Sequence, residues 1–252
     1  MKIALLGYGK MGHAIETLAP TRHHSVNVVI DNLDDWSSQF DALRACDVAI
    51  DFSMPSVAVD NIMKCLSAHV PIVVGTTGWY DHMDDVRKAC LAYSGSLFWA
   101  SNFSIGMNIL FDINRRLARL INDYTDYDVS IAETHHIHKL DAPSGTAISL
   151  ANDIIACCDR KHAWHLAATL TPDAATPQPV VPCPPDSIPI TAVRQGEVPG
   201  IHEVVYDSPI DTISIRHSAK SRQGLALGAL LAAEFLKGRT GIFTMDDLLH
   251  KD

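Results

Sequence analysis

The chain has 252 residues, 47% of them hydrophobic and 19% charged, which excludes an intrinsically disordered polypeptide and fits one large or two modest domains. Twenty basic against twenty-nine acidic residues leave a formal charge of −9, which disfavours nucleic-acid partners and an anionic membrane surface. The N-terminal apolar run is only four residues before Gly7, short of the roughly 7–15 of a signal-peptide core, no run reaches the roughly 20 of a membrane span, and none of the six cysteines forms a C-x-x-C pair, so a reduced, cytoplasmic protein is expected.

The first hundred residues alternate between two periods. Lys2–Leu6 is a short apolar run before a glycine-rich turn, and 11–18 reads as a helix that stops at Pro20. Apolar strands are expected at 26–30, ending at Asp31, and at 47–52, 71–74 and 97–100. Helical spacing covers 55–68, with Ser53 as cap and Pro55 early in the helix, and 81–93. Strands apolar throughout are buried on both faces, so this half predicts a Rossmann-type, doubly wound parallel sheet of the α/β class. The pattern then changes: a long amphipathic helix at Ile105–Ile121 capped by Ser104, a strand at Asp128–His135, a helix at 144–157, a proline-rich loop at 172–189, and strands at 190–193, 203–206 and 212–215. Strands without intervening helices predict a second, α+β domain with a mixed sheet. An apolar helix at Gln223–Leu236 and a turn at 244–249 close the chain.

Gly7-Tyr8-Gly9-Lys10-Met11-Gly12 is G-x-G-x-x-G in the context that gives it meaning, after a strand and opening a helix. Gly7 permits the turn, Gly9 lets a pyrophosphate approach the backbone, and Gly12 lets helix and strand pack closely. Asp31 ends the second strand, where an acid accepts hydrogen bonds from ribose hydroxyls and repels a 2′-phosphate. With Asn32 rather than a base beside it, NADH is favoured; Lys10, near enough to meet a phosphate, leaves NADPH open. Gly75-Thr76-Thr77-Gly78 and Asn102-Phe103 end two further strands and are expected to face the cofactor.

The segment from Glu133 to Thr146 holds His135, His136, His138 and Lys139, then Pro143 and Ser144-Gly145-Thr146 at a helix start. The free N–H groups and hydroxyls of that start make a carboxylate cradle, Lys139 adds a charge, and His135 exchanges a proton near neutral pH. Two other readings compete: a zinc site on H-H-x-H, disfavoured by the adjacent lysine, so that no metal is expected, and a solvated strand end rich in histidine.

Together with Val74-Gly75-Thr76-Thr77-Gly78 and Asn102-Phe103-Ser104-Ile105-Gly106-Met107-Asn108, the stretch from Glu133 to Ala147 makes the chain similar, nearly end to end, to the dihydrodipicolinate (4-hydroxy-tetrahydrodipicolinate) reductase family of lysine and diaminopimelate synthesis. The resemblance implies NAD(P)H-dependent reduction of a cyclic dicarboxylate with loss of water. It implies His135 as proton donor, Lys139 in protonation and substrate binding, and His136, Ser144, Gly145 and Thr146 on the substrate. Cofactor contacts are implied for Gly7, Tyr8, Gly9, Lys10, Met11, Gly12, Asp31, Gly75, Thr76, Thr77, Ala100, Ser101, Asn102 and Phe103, with Phe52 and Ser53 at a further such position. It implies a cofactor domain of 1–103 with 219–252, a substrate and oligomerisation domain of 104–218, and a homotetramer through the second sheet. Against the family pattern, the stretch between Asp31 and Asp47 is short, which suggests a more open adenosine side.

Overall fold

The computed structural model describes residues 1–171, 184–221 and 223–250. The chain divides into two units, Met1–Asn108 with Arg222–Asp252, and Ile109–Ser221.

In the first unit six parallel strands form one sheet: β1 (Lys2–Leu6), β2 (Ser25–Ile30), β3 (Val48–Asp51), β4 (Ile72–Val74), β5 (Ser96–Trp99) and β11 (Gly241–Phe243), in the order β11-β5-β4-β3-β1-β2. Successive strand side chains point to opposite faces. Ile3 and Leu5 therefore join a core with α1 (Lys10–Leu18), α7 (Gln223–Leu236) and α8 (Met245–Leu249), while Ala4 and Leu6 join another with α2 (Leu33–Arg44), α3 (Pro55–Ser67) and α4 (Met83–Ala92). Each fully buried Leu or Ile in these layers contributes about 1.5–3 kcal/mol. Chain order reverses around β1, whose neighbours are β2 and β3, and ligands of such sheets bind beyond the carboxyl ends of the strands at that point.

The second unit holds a mixed five-stranded sheet of β6 (Asp128–His135), β7 (Ala163–Leu170), β8 (Ser187–Arg194), β9 (Ile201–Asp207) and β10 (Thr212–Ser218), ordered β10-β9-β6-β8-β7. The β9–β10 hairpin is antiparallel, as the 207–211 connection implies, while β6 and β7 run parallel to β8. The helix α6 (Gly145–Ile155) packs on this sheet, and α5 (Ile105–Ile121) runs on from the first unit. One sheet face is buried through Val129, Ile131, Ile190 and Val204, whereas the alternate residues, such as Ala132, Thr191 and Val205, are half-exposed.

Several local expectations need correction. Helix α2 was not legible, because its exposed face is polar; Asn32 starts it, accepting from the amides of Asp34 (2.9 Å) and Asp35 (3.0 Å) in a capping box. The first α-helix does end at Leu18, as expected, and Pro20 falls in the first positions of a separate 3-10 turn, Ala19–Arg22, where its missing N–H costs nothing. Met54, not Ser53, is the N-cap of α3, because the Ser53 hydroxyl is taken by Asp51. Strands β7 and β11 were missed. The expected loop at 172–189 lies, up to residue 183, outside the described residues, as does Cys183; its last three residues open β8 instead. Pro189 is tolerated there because pairing with β6 starts only at Ile190.

Candidate active site

In the first unit the carboxyl ends of β1, β2 and β3 surround a cleft of about 860 Å³, within the range of ligand pockets. Helix α1 opens on Gly9 with no side-chain cap and no acid in its first turn, so its leading N–H groups are unspent. A Cβ at Gly9 would meet no protein atom within 4 Å, so open space adjoins those donors. Uncapped amides beside such a space fit a pyrophosphate. Lys10 is exposed at the same helix start, and Met11 and Gly12 pack inward.

Tyr8 N–H donates to Asp31 Oδ1 (2.8 Å), leaving the other carboxylate oxygen for a ribose. Asn32 spends its side-chain oxygen on capping α2, whose Leu33, Asp34 and Trp36 line the cleft. The short stretch after Asp31 is thus a cleft wall made of helix. No lysine or arginine is among the residues that line the cleft; Asp60, which does, is paired with Lys64 (2.7 Å).

Behind the cleft lies a carboxylate that sequence reading passed over. Asp51, fully buried at the end of β3, accepts from Ser53 N–H (3.0 Å), Ser53 Oγ (2.8 Å) and Thr76 Oγ1 (2.5 Å), and through its other oxygen from Asn61 Nδ2 (2.7 Å). Burial pushes its pKa up despite these four donors. The network fixes the 52–53 and 75–77 turns together, with the Phe52 ring close over Gly75. Thr76 is consequently buried and Thr77 exposed. Beyond β5, Ala100 is buried and Ser101 exposed; the Phe103 ring is buried against Phe52 and Phe98, and Asn102 Oδ1 accepts from Ser104 N–H (2.8 Å). Phe103 is thus 1% exposed as a whole, its carbonyl oxygen packed against Gly228, and its ring shapes the turn rather than meeting a ligand.

The second unit gathers the motif on the buried face of its sheet. Glu133 and His135 are two apart on β6, so both point inward, and His135 Nδ1 is hydrogen-bonded to Glu133 Oε2. Glu133 Oε1 accepts from Arg194 Nη2 (2.9 Å) and from Ser144 N–H (3.2 Å). Burial would raise the Glu133 pKa, but His135 and Arg194 together hold it below the usual range. His202, opposite Glu133 on β9, places Nε2 at 3.1 Å from Ser144 Oγ. Burial, reinforced by neighbouring His135, pushes the His202 pKa down to about 4, so it is neutral at pH 7. A Cβ at Gly200 would stand 3.1 Å from His135 Nε2, so a glycine there keeps that ring edge uncrowded.

The predicted cradle is narrower than its sequence suggested. Ser144 caps α6, accepting from Ala147 N–H (3.2 Å), so its hydroxyl and amide are both engaged within the protein. The amides of Gly145 and Thr146 are first-turn donors that no intrahelical carbonyl reaches, and a Cβ at Gly145 would meet nothing within 4 Å. His136 follows the strand, its Nδ1 buried without a partner among the described residues. Lys139 is not a lone cation: its Nζ lies 2.8 and 2.9 Å from the Asp141 carboxylate, which it holds below the usual range. A ligand carboxylate there competes with Asp141.

Of the three histidines expected as alternative zinc ligands, His135 turns inward to Glu133, while the His136 and His138 rings stand 6.0 Å apart, with His138 exposed and turned to Glu197 (3.2 Å). Among the described residues, the donors gathered within 4.8 Å are Glu133, His135 and His202. Arg194 against the same carboxylate already supplies the charge a cation would bring. Glu133 was not singled out, although an acid alternating with a histidine on one strand was the signal that could have found it; Arg194 and His202 carry no local signal, because β8 and β9 bring them from far along the chain.

Comparison with known proteins gives a consistent result. The family model described as dihydrodipicolinate reductase, N-terminus, matches residues 1–103, and that described as its C-terminus matches residues 106–249. A 4-hydroxy-tetrahydrodipicolinate reductase of Christiangramia forsetii is 46% identical over 250 residues, covering 99% of this chain and 98% of that one. One from Neisseria meningitidis serogroup B is 36% identical over 217 residues, covering 84% and 76%. Among solved structures, dipicolinate-bound dihydrodipicolinate reductase from Paenisporosarcina sp. TG-14 shares the fold, with a TM-score of 0.75 at 22% identity over 97% of each chain.

Proposed function

The chain belongs to the dihydrodipicolinate reductase family, and from that premise we propose how its residues carry out the nicotinamide-dependent reduction of 4-hydroxy-tetrahydrodipicolinate to tetrahydrodipicolinate in lysine and diaminopimelate synthesis. The observation that carries the proposal is a buried, acid-backed histidine beside a helix start with two unspent amides. We assign the cofactor to the first unit and the substrate to the second.

A bound reduced nicotinamide supplies a hydride; its dinucleotide would be held by the α1 amides, Asp31 and the turns after β3, β4 and β5. Gly145 and Thr146 N–H groups and Lys139 take a substrate carboxylate that never reacts, which fixes the ring in place. His136 Nδ1, a buried nitrogen without a partner among the described residues, is assigned a further polar contact to the substrate. His135 delivers a proton from Nε2, and its Nδ1 stays on Glu133. Ser144 shapes the cradle rather than gripping the ligand.

We further propose that NADH is used at least as well as NADPH. A 2′-phosphate would meet Asp31 and Asp34 in a cleft whose lining has no lysine or arginine. A coupled assay in which the upstream synthase supplies the unstable substrate tests both readings. Oxidation of cofactor is expected only when substrate is present, with kcat/KM for NADH equal to or above that for NADPH. A tenfold advantage for NADPH would overturn the argument from Asp31.

Self-association is assigned to the half-exposed face of the second sheet, where Ala132, Thr191, Val193 and Val205 offer small and β-branched side chains around a single strand-centre acid, Glu203. A homotetramer is expected by light scattering, and Val205→Glu in the middle of that face is expected to give smaller species. A wild-type monomer would end this reading. No helix among the described residues is long and apolar enough to cross a membrane, and the five described cysteines are unpaired, which supports a cytoplasmic placement.

A further inference from the structure

Between the proton donor, the carboxylate cradle and the Lys139 loop sits a buried pair of opposite charges, Glu133 and Arg194. Glu133 is fully buried and Arg194 is 5% exposed. Through one oxygen Glu133 takes His135 Nδ1, and through the other the backbone N–H of Ser144. Arg194 grips that second oxygen and also donates to the carbonyls of Asp141 (2.7 Å) and Lys139 (3.3 Å). The register explains the reach: His135 on β6 lies beside Arg194 on β8, and Glu133 lies opposite His202 on β9.

We propose that Glu133 and Arg194 are positioning residues for the reduction, a single buried anchor that sets the tautomer of His135 and holds the Ser144 and Lys139 segments at fixed distances from it. This rests on the reading of His135 as proton donor. An ionised carboxylate only accepts hydrogen bonds, so the nitrogen facing Glu133 is the protonated Nδ1 and the exchangeable position is Nε2. The other charged and titratable groups around the site are accounted for: Lys139 is on Asp141, while His202, neutral, is on Ser144, with His217 beside it on β10. None of them can replace Glu133 at Nδ1. A buried ion pair adds little net stability compared with a packed apolar pair, so what distinguishes this one is the geometry it imposes.

The test is Glu133→Gln, nearly the same shape without the charge, with Arg194→Lys as a second variant that keeps the charge but shortens the reach. For Glu133→Gln, kcat is expected to fall at least tenfold while KM for NADH changes less than twofold. The ¹⁵N signal of His135, assigned by its absence in His135→Ala, is expected to lose its Nδ1-protonated signature. For Arg194→Lys, substrate KM is expected to rise at least fivefold, because the Lys139 loop loses its tie. Retention of kcat within twofold by Glu133→Gln, or an unchanged His135 signal in it, overturns the proposal. If Glu133→Gln does not fold, unchanged substrate KM and kcat in Arg194→Lys overturns it equally. The underlying reading fails separately: full turnover in His135→Ala would dismiss the proton donor itself, and the anchor with it.

Discussion

Replacing His135 by alanine is expected to lower kcat by about 10²–10⁴, the usual contribution of a positioned general acid. The loss should fall on kcat with little change in substrate KM, because the carboxylate contacts are assigned to Gly145, Thr146 and Lys139. Its two buried neighbours cannot take over. His202 is neutral at pH 7, with Nε2 against Ser144 Oγ, and Glu133 is held ionised by His135 and Arg194. Steady-state kinetics on the coupled assay checks this. A variant within threefold of the parent would mean that the proton comes from elsewhere.

Gly7→Ala is expected to weaken NADH binding at least tenfold and to lower Tm. The residue has φ +86°, and a Cβ would lie 2.5 Å from the Phe52 carbonyl oxygen and 2.8 Å from Ser53 Cα. Both obstacles are backbone, so no side chain can swing aside. Strain of this kind costs about 1–3 kcal/mol, and each 1.4 kcal/mol is about tenfold in affinity. The turn can relax only by spreading β1 from β3, which also pulls on the Gly7 N–H bond to Ile30 (2.8 Å). Gly9→Ala separates stability from binding. Its Cβ would meet no protein atom, so Tm should hold, yet it would occupy the space assigned to the pyrophosphate. Fluorescence titration of NADH with a melting curve distinguishes the two variants. Parent-like binding by Gly9→Ala would remove the phosphates from that helix start.

Much of the first unit was legible because its signals are local. A buried parallel strand is an apolar run, and a glycine turn between strand and helix is written in consecutive residues; β1, the 7–12 turn and Asp31 followed directly. Helix α2 was missed for an equally physical reason. Its buried residues, Trp36 and Leu43, are few, and its clearest mark is a capping box on Asn32 and Asp35 rather than hydrophobic periodicity. Strand β7, with residues of every burial class, shows no alternation to find.

Local residue patterns were enough for the family, the two kinds of sheet, and the residue types of the chemistry: a glycine turn with an acid beyond it, and histidine, lysine and a helix start within one segment. Tertiary structure alone decided which of those groups are available. It tied Ser144 to Glu133, Ala147 and His202, paired Lys139 with Asp141, buried the Phe103 ring, and left the Gly145 and Thr146 amides and His136 Nδ1 without partners among the described residues. It also brought Arg194 and His202 to the motif. The reason is that a side chain's type is fixed by the codon, whereas its hydrogen-bond partner is fixed by strand register, and register joins residues that no local pattern relates.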